Sequence, residues 1–406
     1  MRVGIYFGKN IFSGSKSGGA FTFQQNILNL LKKYGSKHSF FIFSDDCDNK
    51  KDSELSFVKL NRYYSAQDEN LLKRLFLKIP RKIKRIKLKK QYQNPLNKAV
   101  FENRIELMWF VTPAFENVDI PFIYTVWDLA HRTQSYFPEV SVTGWNFERR
   151  EERYNFVIPR ASYVIIGNQA GAKDLNRFYN IPDQKIKTIP LPVPDFVFNS
   201  FKEVNLKEKY GITKTFLFYP AQFWPHKNHI VILLALKILK EKYGLDFQVV
   251  FTGSDKGNLE YIKEKTKELN LQNMVYFLDF VPLRDLAQLY KQAFALVFPS
   301  FLGPDNIPPL EAFALNCPVV AANVDGAEYQ LNDAAILFDP KSEQDLALAI
   351  KRLNNEKDLR DILTKRGKEK VKEFSCQNYI KKIEKIIDEF ELIRRCWSSK
   401  NRYIHL

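Results

Sequence analysis

Short apolar runs and longer segments of helical period take turns along this 406-residue chain, and the alternation is run through twice. That pattern belongs to α/β domains, because parallel strands need a crossover, usually a helix, between them. In the first half the expected strands are Val3–Phe7, Phe40–Ser44, Leu107–Val111, Phe122–Val126 and Tyr163–Ile166, with helices near Phe21–Tyr34, Thr143–Arg160 and Gln169–Tyr179. The stretch Ile189-Pro190-Leu191-Pro192-Val193-Pro194 then interrupts the alternation. Alternate prolines remove backbone donors and favour an extended, stiff segment, so a domain boundary is expected there, at 192/193. Beyond it, strands are expected at Thr215–Tyr219, Phe247–Thr252, Met274–Leu278, Phe294–Phe298, Pro318–Ala321 and Ala335–Phe338. The helices between and after them fall near Asn228–Tyr243, Leu259–Asn270, Leu283–Ala293, Pro308–Ala314, Glu343–Asn354 and Leu359–Ile393. The expected fold class is therefore α/β, with two Rossmann-like, doubly wound parallel sheets. Ligands of such sheets bind beyond the carboxyl ends of the strands, which points to a cleft between the halves.

Charge narrows the partners. There are 62 Lys+Arg against 46 Asp+Glu, a net +16, which calls for an anionic partner: nucleic acid, a membrane surface or a phosphorylated substrate. Ten of those positive charges, and no acid, fall within Lys73–Lys90. Leu72, Leu75, Phe76, Ile79, Ile83 and Ile86 recur there at helical spacing, so the segment reads as a basic amphipathic helix suited to an anionic membrane surface. A solvated helix packed on its own domain is the alternative, and RNA binding lacks the aromatic interleaving it needs. The four cysteines are widely spaced with no CxxC pair, which argues against a disulfide framework or a zinc site. Without a signal-peptide core or a spanning apolar stretch, the expectation is a cytoplasmic protein, peripheral on the inner face of the cell membrane.

Two stretches carry chemistry. In Phe298–Phe313 an apolar strand enters a loop and then Asn306-Ile307-Pro308-Pro309, a helix start with Asn306 as the expected N-cap. A helix N-terminus with free N–H groups is a phosphate seat, and Glu311 in its first turn could grip a diol such as ribose. An ordinary capped helix with an N-terminal glutamate is the plain alternative. In Phe218–His229 a strand leads into another helix start bearing Lys227, where a cation is unfavourable unless an anion is present. His226 and His229 flank Lys227-Asn228 without a third ligand, so no metal is expected.

Together, "FPS" at 298–300, "PPLEAFALNCPVVAANVDGAEYQLNDAAILFDP" at 308–340, the "KN" at 227–228 and "VVFTGS" at 249–254 resemble the C-terminal domain of the family-4 retaining glycosyltransferases of GT-B fold. The match in order and spacing runs from about Thr215 to Leu353, and a looser one runs through Gly18-Gly19 and Thr125–Arg132. The resemblance implies a 1–192 acceptor-side domain, a 193–375 nucleotide-sugar domain, and a 376–406 helix crossing back to the first. It implies that Lys227 holds the donor diphosphate and Glu311 the ribose hydroxyls. Backbone near Ile307 and Leu310 would meet phosphate or sugar, Gly253 and Ser254 would line the nucleotide pocket, and main chain around Val281 would meet the base. Gly18 and Gly19, in the first loop, would let backbone approach the donor.

The sequence departs from that pattern. Eight residues before Glu311, where relatives carry a sugar-binding glutamate, stands Gly303, with Asp305 nearby as a possible substitute. Gln222 replaces the phosphate-binding arginine five residues before Lys227, so Gln222, Asp305 and Asn306 enter the donor set in modified form. Trp127 holds the place of a histidine that precedes Asp128 in many relatives, and His131 follows three residues on. Asp128 and His131 are accordingly the expected catalytic-side groups, with Lys227. Asp46-Cys47-Asp48 matches a metal-holding DxD triplet but lies in a polar loop where such triplets arise by chance. The implied protein is a metal-independent, hexosyltransferase-type retaining glycosyltransferase with no resident cofactor and no nucleic-acid partner. Its acceptor would be a lipid-linked or cell-surface polysaccharide, such as lipopolysaccharide O-antigen or capsule. A sugar-nucleotide epimerase or phosphorylase, and a catalytically weakened binding protein, remain as alternatives.

Overall fold

The computed structural model describes residues 1–8, 18–45, 47, 50–51, 55–60, 94–143, 147–303 and 305–398. The basic stretch Lys73–Lys90 and the two aspartates of the DxD triplet lie outside them. The chain divides into two compact units, one of Met1–Val126, Arg160–Ile165 and Ile383–Leu406, the other of Trp127–Pro159 and Ile166–Lys382. This partition cuts the chain differently from a single break at 192/193, because residues 127–159 and 166–192 group with the second unit.

The first sheet has the order β3-β4-β2-β1-β5-β6-β7-β8, built from β1 (Arg2–Gly8), β2 (Ser39–Ser44), β3 (Lys50–Lys51), β4 (Leu55–Lys59), β5 (Leu107–Phe110), β6 (Phe122–Thr125), β7 (Tyr163–Ile166) and β8 (Ile186–Thr188). β1 pairs in parallel with β2 and β5, β2 with β4, and β5 through β6 to β7, whereas β3 is antiparallel to β4. Strands buried on both faces read as unbroken apolar runs, which is why β1, β2 and β5–β7 fall where the sequence placed them. β4 and β8 escaped: Leu-Ser-Phe-Val-Lys buries only Leu55 and Phe57, and Ile-Lys-Thr is half-buried throughout. Helix α1 (Gly18–Tyr34) opens three residues earlier than expected, so Gly18 and Gly19 are its first residues and not part of the preceding loop.

The second sheet is wholly parallel in the order β11-β10-β9-β12-β13-β14, from β9 (Phe216–Pro220), β10 (Gln248–Thr252), β11 (Val275–Leu278), β12 (Ala295–Phe298), β13 (Val319–Ala322) and β14 (Ala335–Phe338). Counted from β9 this is the 3-2-1-4-5-6 order of the dinucleotide-binding folds, whose switch point lies between its first and fourth strands, here β9 and β12. Phe218, Tyr219, Phe251, Val297 and Val320 are among its fully buried core. After α1 the chain forms α2 (Pro95–Glu102) before β5, α3 (Ala130–Thr133) and α4 (Phe147–Val157) between β6 and β7, α5 (Gln169–Tyr179) before β8, and α6 (Leu206–Tyr210) before β9. Around the second sheet lie α7 (His229–Tyr243), α8 (Leu259–Glu268), α9 (Leu283–Gln292), α10 (Ile307–Ala314), α11 (Ala327–Leu331), α12 (Glu343–Asn355) and α13 (Leu359–Lys370).

The last helix, α14 (Cys376–Arg394), begins in the second unit and ends in the first. Its end is fastened within the first unit, where Asp388 takes Lys37 and His38 at 2.9 Å and Arg394 takes Glu106 at 2.8 Å. The sequence treated Leu359–Ile393 as one helical stretch; Val371–Phe374 forms a 3₁₀ turn that separates α13 from α14. Among the described residues no helix is long and apolar enough to cross a membrane.

Candidate active site

The site grows from the two loops that leave β9 and β12. Beyond β9 the chain passes so close to the end of β10 that a Cβ on Gly253 would lie 2.3 Å from the Ala221 carbonyl oxygen. Gly253 also has φ +147°, so only glycine lets the two strand ends meet there. The chain then makes a 3₁₀ turn at Pro225–Lys227 and reaches α7 through Asn228 in the left-handed region. Asn228 donates to Pro299 O at 3.3 Å and Pro340 O at 2.8 Å, and Phe301 N donates to His226 O at 2.9 Å. These bonds fix the Lys227 turn against the loop after β12, with Lys227 Nζ 3.4 Å from Ser300 Oγ. The ammonium is half-buried and pairs with no carboxylate among the described residues. Burial pushes its pKa down to about 8, opposed by the more distant charges of Asp128 and Glu139.

The other loop delivers α10. Of its first four residues, Pro308 and Pro309 have no N–H, leaving Ile307 and Leu310 as the first-turn donors. Asn306 occupies the N-cap position without capping: its side-chain amide turns back to donate to Gly303 O. Its main chain is clasped by Gln330, which accepts from Asn306 N at 3.1 Å and donates to Asn306 O at 2.9 Å. Glu311, buried in the same helix, accepts a 2.6 Å hydrogen bond from the Tyr290 hydroxyl of α9. Burial pushes the Glu311 carboxyl up to about 7, while the Tyr290 bond pulls the other way.

This raised pKa sets a sign. Between its ordinary value of 4.5 and about 7 the folded protein holds the Glu311 proton that the unfolded chain has released. Stability contributed by this group therefore falls as pH rises through that window. Glu311→Gln stays neutral, so we expect its urea midpoint to exceed that of the wild type at pH 8 and to match it at pH 5.

Several expected roles are corrected by the structure. Asp305 does not stand in for a sugar-binding carboxylate. It is half-buried, Oδ2 accepts from Leu191 N at 2.7 Å and Oδ1 from Gln330 at 3.3 Å, and it ties the proline-rich segment to the loop before α10. Gln222 replaces the arginine in sequence only, because its amide is engaged at both ends, donating to Ser254 Oγ and accepting from Trp224 Nε1, each at 3.1 Å. His131 does not face a ligand. It is fully buried, with Nε2 2.5 Å from Glu151 Oε1 and 3.2 Å from the Tyr179 hydroxyl, and burial beside Arg150 pushes its pKa down to about 4. Asp128 Oδ1 accepts from Ala130 N at 2.8 Å and from Arg150 at 2.7 Å, which pins the start of α3. His229 is stacked on Phe223 at 4.4 Å, its pKa pushed down to about 3 by burial, and shares no ligand set with His226.

Ser254 O accepts from Phe223 N at 3.1 Å, so Gly253 and Ser254 shape the first loop, and Val281 is buried just after β11. The structure thus gathers Lys227, Ile307, Leu310 and Glu311 at the switch point of one sheet. Gly18 and Gly19 belong to the other unit. Sequence reasoning passed over Glu139, from the turn after α3, whose Oε1 lies 2.5 Å from His226 Nδ1. It also missed Tyr290. Neither sits in a local pattern that marks it, and only the fold brings each to its partner.

Residues 202–370 match the family described as Glycosyl transferases group 1. An O-antigen chain mannosyltransferase of Salmonella typhimurium, RfbU, is 27% identical over 196 residues, covering 48% of this chain and 52% of that protein. O-antigen chain mannosyltransferase B of Escherichia coli is 25% identical over 221 residues, covering 54% and 58%. The chain thus spans about half the length of the curated relatives it matches. Among solved structures, sucrose-phosphate synthase of Thermosynechococcus elongatus superposes over 97% of this chain and 99% of its own with a TM-score of 0.72 at 16% identity, a likeness of fold. Two parallel α/β sheets, a switch-point site and these matches agree: residues 202–370 form a glycosyl transferases group 1 domain in a chain of GT-B fold.

Proposed function

We propose that the protein is a retaining glycosyltransferase. It moves a hexose from a nucleoside-diphosphate donor to a lipid-linked or cell-surface polysaccharide acceptor of the O-antigen or capsule kind. The observation that carries this reading is the half-buried Lys227 ammonium, without a carboxylate partner among the described residues, in the turn bound to the loop that opens α10. A departing diphosphate develops negative charge, and preorganised donors in a poorly solvated site stabilise that charge. Lys227 and the Ile307 and Leu310 amides supply it, and Glu311 accepts from the ribose hydroxyls. The leaving diphosphate oxygen takes the acceptor's proton as the new glycosidic bond forms on the same face, so no protein nucleophile is required. With charge provided by the chain itself, transfer is expected to survive EDTA.

The first test is thermal shift with UDP-, GDP- and dTDP-sugars, since a ligand at ~100 times its Kd stabilises by about 2.7 kcal/mol. Transfer is then assayed with and without acceptor, because an epimerase turns the donor over alone. If none of these donors stabilises the wild type, the reading fails.

The proposal extends to the membrane. The ten cationic residues of Lys73–Lys90 would each contribute ~1 kcal/mol near an anionic leaflet. In flotation with phosphatidylserine vesicles, the wild type should float. A variant neutralised at Lys82, Lys84, Arg85 and Lys87 should remain in the bottom fraction. Equal flotation of the two would remove the basic segment from the account.

A further inference from the structure

Gln222 leaves the donor site one cation short, and its amide is already engaged at both ends. We propose that His226 is the second cationic contact for the donor diphosphate, gaining a proton on Nε2 as the diphosphate binds, and that Glu139 is its positioning residue. This rests on the nucleotide-sugar reading of the site.

Glu139 Oε1 accepts twice from His226, from its backbone N at 2.9 Å and from Nδ1 at 2.5 Å. A carboxylate on Nδ1 assigns the proton of the neutral ring to that nitrogen and leaves Nε2 as the atom that changes state. The other Glu139 oxygen is buried without a hydrogen-bond partner, so His226 is the carboxylate's hydrogen-bonding partner among the described side chains. The ring is held on two sides, nearly parallel to Trp224 at 6.5 Å and edge-on to Phe137 at 6.2 Å. It stands one residue before Lys227 in the same 3₁₀ turn, and its carbonyl is bonded to the loop that leads to α10.

The charged groups that act on the ring are Glu139 from the turn after α3, Asp128 from before α3, and Lys227 from its own turn. Burial, assisted by Lys227, lowers the His226 pKa; the two carboxylates oppose this without overcoming it. The ring is therefore neutral at pH 7 in the free protein, and an arriving diphosphate reverses the balance. Affinity should rise as pH falls through the bound-state pKa and level off below the free-state value.

The experiment is titration calorimetry of the full chain with UDP-glucose and GDP-mannose at pH 6.5, in two buffers of different ionisation enthalpy. Uridine and guanosine serve as phosphate-free controls. The wild type should take up a fraction of a proton that His226→Gln does not. His226→Gln should bind the nucleotide sugar about tenfold more weakly, or about 1.4 kcal/mol, with nucleoside affinity unchanged. Lys227 is common to both proteins, so its own titration cancels in the comparison. In Glu139→Gln the imidazolium loses its carboxylate, and the proton uptake should shift to lower pH. Equal proton uptake in His226→Gln and wild type would overturn the proposal, as would a parallel loss of nucleoside binding, which marks a structural role. Failure of both nucleotide sugars to bind the wild type would instead overturn the glycosyltransferase reading itself, and this proposal with it.

Discussion

Lys227→Met is expected to lower kcat/KM for the proposed sugar transfer by roughly 10²–10³-fold, the loss typical when one preorganised donor to developing negative charge is removed. The same change should not harm the fold. Because burial holds the Lys227 pKa at about 8, below its ordinary 10.5, the unfolded chain binds this proton more tightly than the folded one. Stability contributed by this group therefore rises as pH climbs from 8 to 10.5, and at neutral pH the charged side chain is a burden on the native state. Methionine fills similar space without that burden. The expected signature is a crippled enzyme whose urea midpoint at pH 7 equals or exceeds that of the wild type. Transfer within threefold of wild type would remove Lys227 from the mechanism.

The largest expected effect on stability lies beneath the same loop. Phe251 of β10 is fully buried, with ring neighbours Tyr219 at 6.4 Å, Phe223 at 6.1 Å, His229 at 5.1 Å and Phe277 at 5.7 Å. Phe251→Ala removes transferable apolar surface and leaves a cavity that such a packed cluster cannot close, a change that costs about 3–5 kcal/mol. Phe223 and His229 bracket the Lys227 turn in sequence, so the lost ring is also part of the floor that holds the turn. We expect amide exchange in β9 and β10 to accelerate in line with the fall in urea midpoint, and nucleotide-sugar affinity to weaken in the fraction that remains folded. A destabilisation below 1 kcal/mol would show that the cluster does not act as a unit.

Much of this could be read from the residues, for identifiable reasons. The second sheet's strands were legible because burial on both faces leaves no polar alternation to confuse them, as in Val249–Phe251 and Leu296–Phe298. The starts of α7 and α10, with Lys227 just before the one and Ile307 and Leu310 in the other, were legible because helix starts have a local chemistry of their own; Glu311 falls one residue beyond the first turn in which the sequence placed it. What escaped depends on distant parts of the chain. His226 and Glu139 are 87 residues apart, and Asp305 reaches Leu191 across 114. No window of sequence shows whether a carboxylate is free for a ligand or already tied to an amide. His131 was misjudged for a related reason: a histidine just past a strand end has the same local sequence whether it faces out or in. Here Glu151 and Tyr179 draw it inward.

The loop before α10 also bears on how such a sequence can change. Gly303 has φ +109°, and a Cβ placed on it would lie 2.2 Å from Asn306 Oδ1. A glutamate at 303 would thus face a backbone hostile to any side chain and an amide already occupying its space. Gly303→Glu is therefore strained by its backbone and displaces the Asn306 amide from the Gly303 carbonyl, so a carboxylate gained at 303 comes with a re-formed loop ahead of α10.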